Sequence, residues 1–137
     1  MVKDTFVGTW KMNPARCEFD PHHKPTEATM TITVAADGSY ELRAEGKNER
    51  GEVCAEKPQR YTPDGQPRPV DDMPGLTAVS RREWPDRIQT DVRREDGSLV
   101  GQAIMEVSKD GRSLTATTSG FDSQLRQFRQ FTVWERQ

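Results

Sequence analysis

Asp-Gly pairs divide much of this chain into short segments in which apolar and polar residues alternate. The clearest pairs are Asp37-Gly38, Asp96-Gly97 and Asp110-Gly111. Asp-Gly supplies the positive φ angles that two-residue hairpin turns require, and strict alternation indicates strands with one buried face. Sequential antiparallel strands with no room for crossover helices favour an up-and-down β-barrel. A two-sheet sandwich is the alternative.

The alternation predicts about eight to ten strands. A further segment, 58–75, contains five prolines and predicts an irregular loop, with Asp64-Gly65 as a turn and room for only a short strand near 59–62. The other predicted strands cover 6–12, 27–36, 39–46, 50–57, 76–83, 87–94, 98–108, 112–119 and 126–136.

The two ends of the chain carry matching tryptophan-bearing strands. Phe6, Gly8, Trp10 and Met12 share one face of the first strand by the two-residue period, and Trp134 lies in the last strand. A barrel loses its edges only when its first and last strands pair. We therefore predict that these strands are neighbours and that Gly8 admits another backbone or an aromatic ring at close range.

Composition agrees with a thin-walled barrel. Hydrophobic residues make up 32% of the 137 residues and charged residues 31%, an apolar share that is low for a globular protein. A barrel wall that is one sheet thick and has one face in water does not need a larger share of apolar residues. The length predicts a single domain over residues 1–137.

The charge pattern and the chain start narrow the function classes. The net charge is −2 and the basic residues are scattered, so we do not expect nucleic-acid binding, which needs a concentrated positive face. No apolar run approaches the roughly 20 residues of a membrane span. The first residues lack an apolar signal region, which predicts a cytoplasmic protein, or a secreted one only if a signal peptide has been removed. A homodimer is left open.

Metal and redox chemistry find little support in the residue pattern. Cys17, Asp20, His22 and His23 lie close together in a proline-rich connector. They have no second group of ligands, and haem would need an axial histidine on a wall strand. We therefore expect a solvated loop, no metal and no cofactor. Cys17 and Cys54 are expected to be unpaired thiols.

The opening and the ending together resemble a known superfamily. Gly8-Thr9-Trp10 is similar to the Gly-x-Trp motif on the first strand of lipocalins and fatty-acid-binding proteins, and Val133-Trp134-Glu135-Arg136 resembles the ending of the fatty-acid-binding branch. The opening 8–14, Gly-Thr-Trp-Lys-Met-Asn-Pro, and the order of the whole chain are closest to small bacterial lipocalin-like proteins of unknown function. The resemblance implies a lipocalin-like barrel.

Two departures from the fatty-acid-binding branch limit what the resemblance implies. The connector 14–26 is too short and too rich in proline for that branch's helix-turn-helix lid. The positions that match its carboxylate-binding Arg-x-Tyr pair are Thr132 and Trp134. A fatty acid held in that pose is therefore not expected.

We predict an all-β, antiparallel up-and-down barrel without a helical lid, which binds a small apolar or amphipathic ligand in its interior by surface burial. One alternative is a barrel enzyme of the isomerase or hydratase type acting on a lipid-like or aromatic molecule. Another is a filled barrel that serves as an interaction module. No catalytic residue is predicted. The residues predicted to line the cavity are Trp10, Met30, Ile32, Tyr40, Leu42, Ile88, Val92, Met105 and Trp134.

Overall fold

The computed structural model describes residues 4–18, 27–47, 50–55, 58–70, 73–121 and 126–137. These residues form antiparallel strands and one 3-10 turn, Pro14–Arg16. The strands are β1 (Gly8–Met12), β2 (Glu27–Val34), β3 (Tyr40–Lys47), β4 (Val53–Ala55), β5 (Gln59–Tyr61), β6 (Asp64–Pro69), β7 (Leu76–Trp84), β8 (Arg87–Arg94), β9 (Leu99–Val107), β10 (Ser113–Phe121) and β11 (Gln127–Arg136).

The strands curl into one sheet with the order β4-β3-β2-β1-β11-β10-β9-β8-β7-β6, and the short β5 pairs with β3 beside this path. β1 lies between β2 and β11, with Met12 opposite Trp134 and Trp10 opposite both Met30 and Arg136. The predicted pairing of the first and last strands is confirmed, and so is the all-β barrel-like class. The described residues contain no helical lid.

A seam interrupts the wall on the side opposite this pairing. β5 and β6 are separated along the chain by Thr62 and Pro63 alone. In the described part of the chain, however, no backbone ladder joins β6 to β4 or β5. Side chains therefore have to hold the wall together at this point.

The strand β6 corrects the sequence-based prediction of an irregular loop and an Asp64-Gly65 turn. Asp64–Pro69 pairs with β7, with a register irregularity between Asp64 and Pro67. Proline cannot donate to a ladder, but it is tolerated on an edge strand, where one side has no partner. The proline count of this segment therefore indicated an edge strand and not the absence of a strand.

Large side chains fill one end of the barrel, which we call the closed end. It carries residues 4–7 and the turns at 35–39, 85–86 and 108–112; the turn at 95–98 marks the opposite, open end. The buried inner core consists of Phe6, Trp10, Met12, Met30, Ile32, Tyr40, Ile88, Val107, Leu114 and Trp134.

The start of the connector pairs with β11 through an isolated antiparallel β-bridge. Glu18 exchanges two backbone hydrogen bonds with Phe131. The unpaired thiol of Cys17 donates to the Asn13 carbonyl (3.1 Å) and accepts from the Val133 backbone N–H (3.2 Å). Burial raises the pKa of this thiol, so its role here is packing. The side chain of Cys54 lies outside the described residues.

Candidate ligand-binding interior

The strand register places all nine predicted lining residues on the inner face. Directly paired residues project to the same side of a sheet, and side chains alternate along a strand. Six of the nine belong to the buried core, and Leu42 and Met105 pack against it. Met105 pairs with Ile88 and Ala116, which fixes its inward direction. Val92 is only partly buried and lies nearer the open end, opposite Gly101.

The closed end is sealed around Trp10. Its indole is fully buried, and Nε1 donates to the Phe6 carbonyl at 3.1 Å. The Arg136 guanidinium lies 4.2 Å from the ring centroid and donates to the carbonyls of Thr5, Val7 and Gly111 at 2.5–2.8 Å. The Arg136 side chain therefore covers one face of the Trp10 ring.

Gly8 makes this seal possible. Its φ is +147°, and a Cβ at this position would lie 2.6 Å from Arg136 Nη1. Close approach at Gly8 was expected from a backbone or an aromatic ring, whereas the structure places a guanidinium there.

On several strands, the side chains on the inner face become smaller and less apolar toward the open end. On β2, β3, β9 and β10 the large core residues are followed by small ones, as Leu114 is followed on the same face by Ala116, Thr118 and Gly120. These inward-facing residues are only partly buried. Further small inner-face positions on other strands include Ala28, Ala44, Ala78, Gly101 and Ala103. On β11, by contrast, the inner face continues from Trp134 to Gln130 and Phe128.

Two grooves of about 660 Å³ each lie along the wall. One follows the open-end segments of β9, β10 and β11, between Leu99 and Arg129, where Gly101 faces Gly120 across the ladder. The other follows β1 to β4 and is lined mainly by charged and threonine side chains such as Lys11, Thr31 and Arg43. Most lining residues of both grooves project outward, so both grooves lie mainly on the outer surface of the wall and not in the barrel interior.

A polar cluster at the closed end bridges the seam. The Tyr40 hydroxyl donates to the Asp4 carboxylate and accepts from Arg82 Nη2. Arg82 also donates to the Pro85 carbonyl at 2.8 Å and lies 3.9 Å from Asp4 Oδ2. Its guanidinium stands 5.7 Å from the centroid of the Phe6 ring. β3 and β7 are thus joined by side chains where the backbone ladder is missing.

Tyr61 completes the cluster. Its ring stacks on that of Tyr40 at 5.3 Å with an interplanar angle of 13°. Its hydroxyl oxygen is buried and has no hydrogen-bond partner among the described residues. Burial raises the pKa of this phenol, and the charges of Tyr40 and Asp4 add to the effect, so Tyr61 is an uncharged donor at neutral pH.

We expect the polar cluster to make the folded protein less stable at alkaline pH. Burial, with a smaller effect from the hydrogen bond to Asp4, raises the pKa of Tyr40 to about 12, against about 10 for tyrosine in an unfolded chain. Above about pH 10 the unfolded chain releases this proton first, so the stabilisation present below that pH is lost as the pH rises toward about 12. Urea unfolding at about pH 9 and about pH 11 should show a larger loss for the wild type than for Tyr40→Phe. Equal losses in both chains would contradict this assignment.

Sequence reasoning missed Asp4, Tyr61 and Arg82. Arg82 was detectable in principle, because Ala78, Ser80 and Arg82 share one face of a predicted strand and Ser80 is buried. Asp4 and Tyr61 carried no such signal, since their partners are distant in sequence. The positions of the missing carboxylate clamp contact each other instead, with Trp134 Nε1 donating to Thr132 Oγ1 at 2.9 Å.

The other candidates for chemistry fall on the surface or outside the described residues. Trp84 is 48% exposed, with the Arg87 guanidinium 5.1 Å from its ring centroid. Asp20, His22 and His23 are not among the described residues. Within the part that is described, no three Cys, His, Asp or Glu side chains form a group that could hold a metal ion. The described residues also include no helix long and apolar enough to cross a membrane.

Comparison with known proteins finds solved structures that share this barrel fold. No protein-family model matches the chain, and no curated protein matches it in sequence. The wild-type fluorescent protein UnaG matches with a TM-score of 0.64 at 13% identity, over 99% of this chain and 100% of that one.

Two further solved structures have the same architecture. Zebrafish ileal bile acid-binding protein, complexed with cholic acid, matches with a TM-score of 0.57 at 11% identity over 97% of this chain and 99% of that one. The extracellular fatty acid binding protein As-p18 matches with a TM-score of 0.53 at 11% identity over 100% and 99%. At these identities the likeness establishes the fold alone.

Proposed function

We propose that this protein binds a small apolar or amphipathic molecule inside the barrel. The observation that carries the proposal is the gradient along the inner face of β2, β3, β9 and β10, from large buried side chains at the closed end to small, partly exposed ones at the open end. A filled barrel needs large side chains along its whole length. Small inward positions that water still reaches leave volume for a ligand.

The fold neighbours agree with this proposal. Two of them are named as binders of a bile acid and of fatty acids. The nine predicted lining residues would form the floor and lower wall, with Trp10, Ile32 and Ile88 deepest. Met105, Leu42 and Val92 are less buried than these three and would make the contacts nearer the open end.

Native mass spectrometry of the protein as purified is the direct test, because a bound molecule would appear as added mass. The same spectrum reports whether the chain is a monomer or a homodimer. Loss of a small molecule on gentle activation would support the proposal. A spectrum of bare protein, together with no uptake of apolar fluorophores, would favour the filled barrel acting as an interaction module.

Filling the open half is expected to block binding. Ala103→Trp adds an indole on the inner face opposite Thr118 and should weaken uptake of diphenylhexatriene, a fluorescent hydrocarbon, by at least about tenfold, or about 1.4 kcal/mol. The matched control is Thr117→Trp, which adds the same group to the outer face of β10. Fluorescence titration of the two variants measures the difference. Equal binding by both would contradict an interior site.

No specific observation supports the alternative that the protein is an enzyme. The Tyr40 hydroxyl is the buried titratable group that such a reading requires, but it is 2% exposed and already engaged by Asp4 and Arg82. The proposal also includes kinship with small bacterial lipocalin-like proteins, which rests on residues 8–14.

A further inference from the structure

We propose that the ligand presents an uncharged oxygen, of the hydroxyl or carbonyl type, to the Tyr61 hydroxyl at the seam, and that this protein prefers such molecules to carboxylates. The inference rests on the proposed function, because it specifies the ligand of the same interior.

The first support is the state of the Tyr61 hydroxyl. Buried polar groups in folded proteins nearly always have a hydrogen-bond partner, and an exception calls for a physical cause. Tyr61 pairs with Tyr40 across the ladder and therefore projects to the inner face, where its ring packs against the core. Its hydroxyl is the buried side-chain polar atom that lacks a partner among the described residues. Because this phenol stays protonated at neutral pH, it offers a donor and calls for an acceptor.

The second support is that other polar groups on the inner face are paired within the protein. Ser80 Oγ and Thr90 Oγ1 lie 2.8 Å apart, and Trp134 donates to Thr132. The Tyr61 hydroxyl thus differs from these groups because no described residue lies where it could form a hydrogen bond with it.

The third support concerns charge. The arginines that contact buried aromatic rings are Arg82 and Arg136. Arg82 faces the Asp4 carboxylate and donates to Tyr40 and Pro85, and Arg136 donates to three carbonyls. A ligand carboxylate beside Tyr61 would therefore meet a neutralised cation and the Asp4 carboxylate. Burying an anion without a free partner is strongly unfavourable, whereas an uncharged oxygen needs only the donor that Tyr61 supplies.

Competition against diphenylhexatriene, which has no polar atom, tests the preference with three ligands of equal chain length. These are dodecan-1-ol, dodecanoate at neutral pH, and dodecane. The alcohol is expected to bind at least about tenfold more tightly than the carboxylate, the equivalent of about 1.4 kcal/mol. Tyr61→Phe removes one oxygen and should weaken the alcohol about tenfold while leaving dodecane and the probe unchanged. Thr117→Val, which removes a hydroxyl from the outer face of β10, is the matched control and should leave the alcohol unchanged.

Urea unfolding of the ligand-free protein supplies an independent measurement. Removing a buried hydroxyl that has no partner should leave Tyr61→Phe as stable as the wild type or more stable. A clear loss of stability would mean that a structural water or another protein group already satisfies the hydroxyl, and would overturn the inference.

The binding outcomes separate this inference from the function on which it rests. Carboxylate binding as tight as alcohol binding, or an unchanged alcohol affinity in Tyr61→Phe, would overturn the preference and leave interior binding intact. Failure of the probe and of all three competitors to bind would refute the proposed function and the preference together.

Discussion

A chain that lacks residues 131–137 is expected to lose most of its stability. β11 pairs with β10 over its whole length and with β1 at the closed end. The deletion removes the buried Val133 and Trp134 and takes Arg136 away from the Trp10 ring. Losing one large aromatic from a core costs about 3–5 kcal/mol, and the total stability of a domain is about 5–15 kcal/mol. The truncated chain should therefore unfold at much lower urea, or show no cooperative transition.

The size of this effect distinguishes a strand inside the wall from a peripheral one. Removing Gln137 alone deletes only its contacts beyond the strand, among them the backbone hydrogen bond to the Thr9 carbonyl, and should leave the urea midpoint close to that of the full chain. A 131–137 deletion that also keeps the full-length midpoint would contradict the closed arrangement of β1 and β11. The interior ligand site would then lose its wall.

Trp10→Ala is expected to lower the free energy of unfolding by about 3–5 kcal/mol. The indole is fully buried, donates to the Phe6 carbonyl and lies under the Arg136 guanidinium. Its removal leaves a cavity in the closed end and exposes that side of Arg136 to an empty space. Urea unfolding followed by circular dichroism measures the change without relying on tryptophan fluorescence.

Trp84→Ala is the matched control for this prediction. Trp84 is also at the closed end, but it is 48% exposed and contacts Arg87 on the surface. Surface substitutions of this kind usually change stability by no more than about 0.5 kcal/mol. Similar losses for both variants would show that Trp10 has no special place in the core.

Local pattern predicted most of the architecture. The segments 87–94 and 76–83 were located to within a residue or so of β8 and β7, because alternation and Asp-Gly turns are local signals. The face assignment of Trp10 and Met12 was also confirmed, since side-chain alternation needs no knowledge of partners. The exception was β6, where proline breaks the local signal but an edge position tolerates it.

The candidate site also has one part that the sequence could predict and one part that it could not. The apolar lining, from Trp10 and Ile32 to Met105, could be predicted because it follows from the strand pattern. The seam cluster could not, because Asp4, Tyr40 and Arg82 come together only when the sheet curls and brings β3 opposite β7. No local pattern specifies which distant hydroxyl an arginine will reach.

The sequence by itself thus determined the strands, their turns and the inward faces, because each depends on the backbone period and on residues close in the chain. Only the tertiary structure decided where the wall has its seam, which inner groups are neutralised and which hydroxyl is left without a partner. These features depend on the distances between strands far apart in sequence, and such distances exist only after closure. The Tyr61 hydroxyl is buried and lacks a partner among the described residues, and this is a property of the fold and not of any motif.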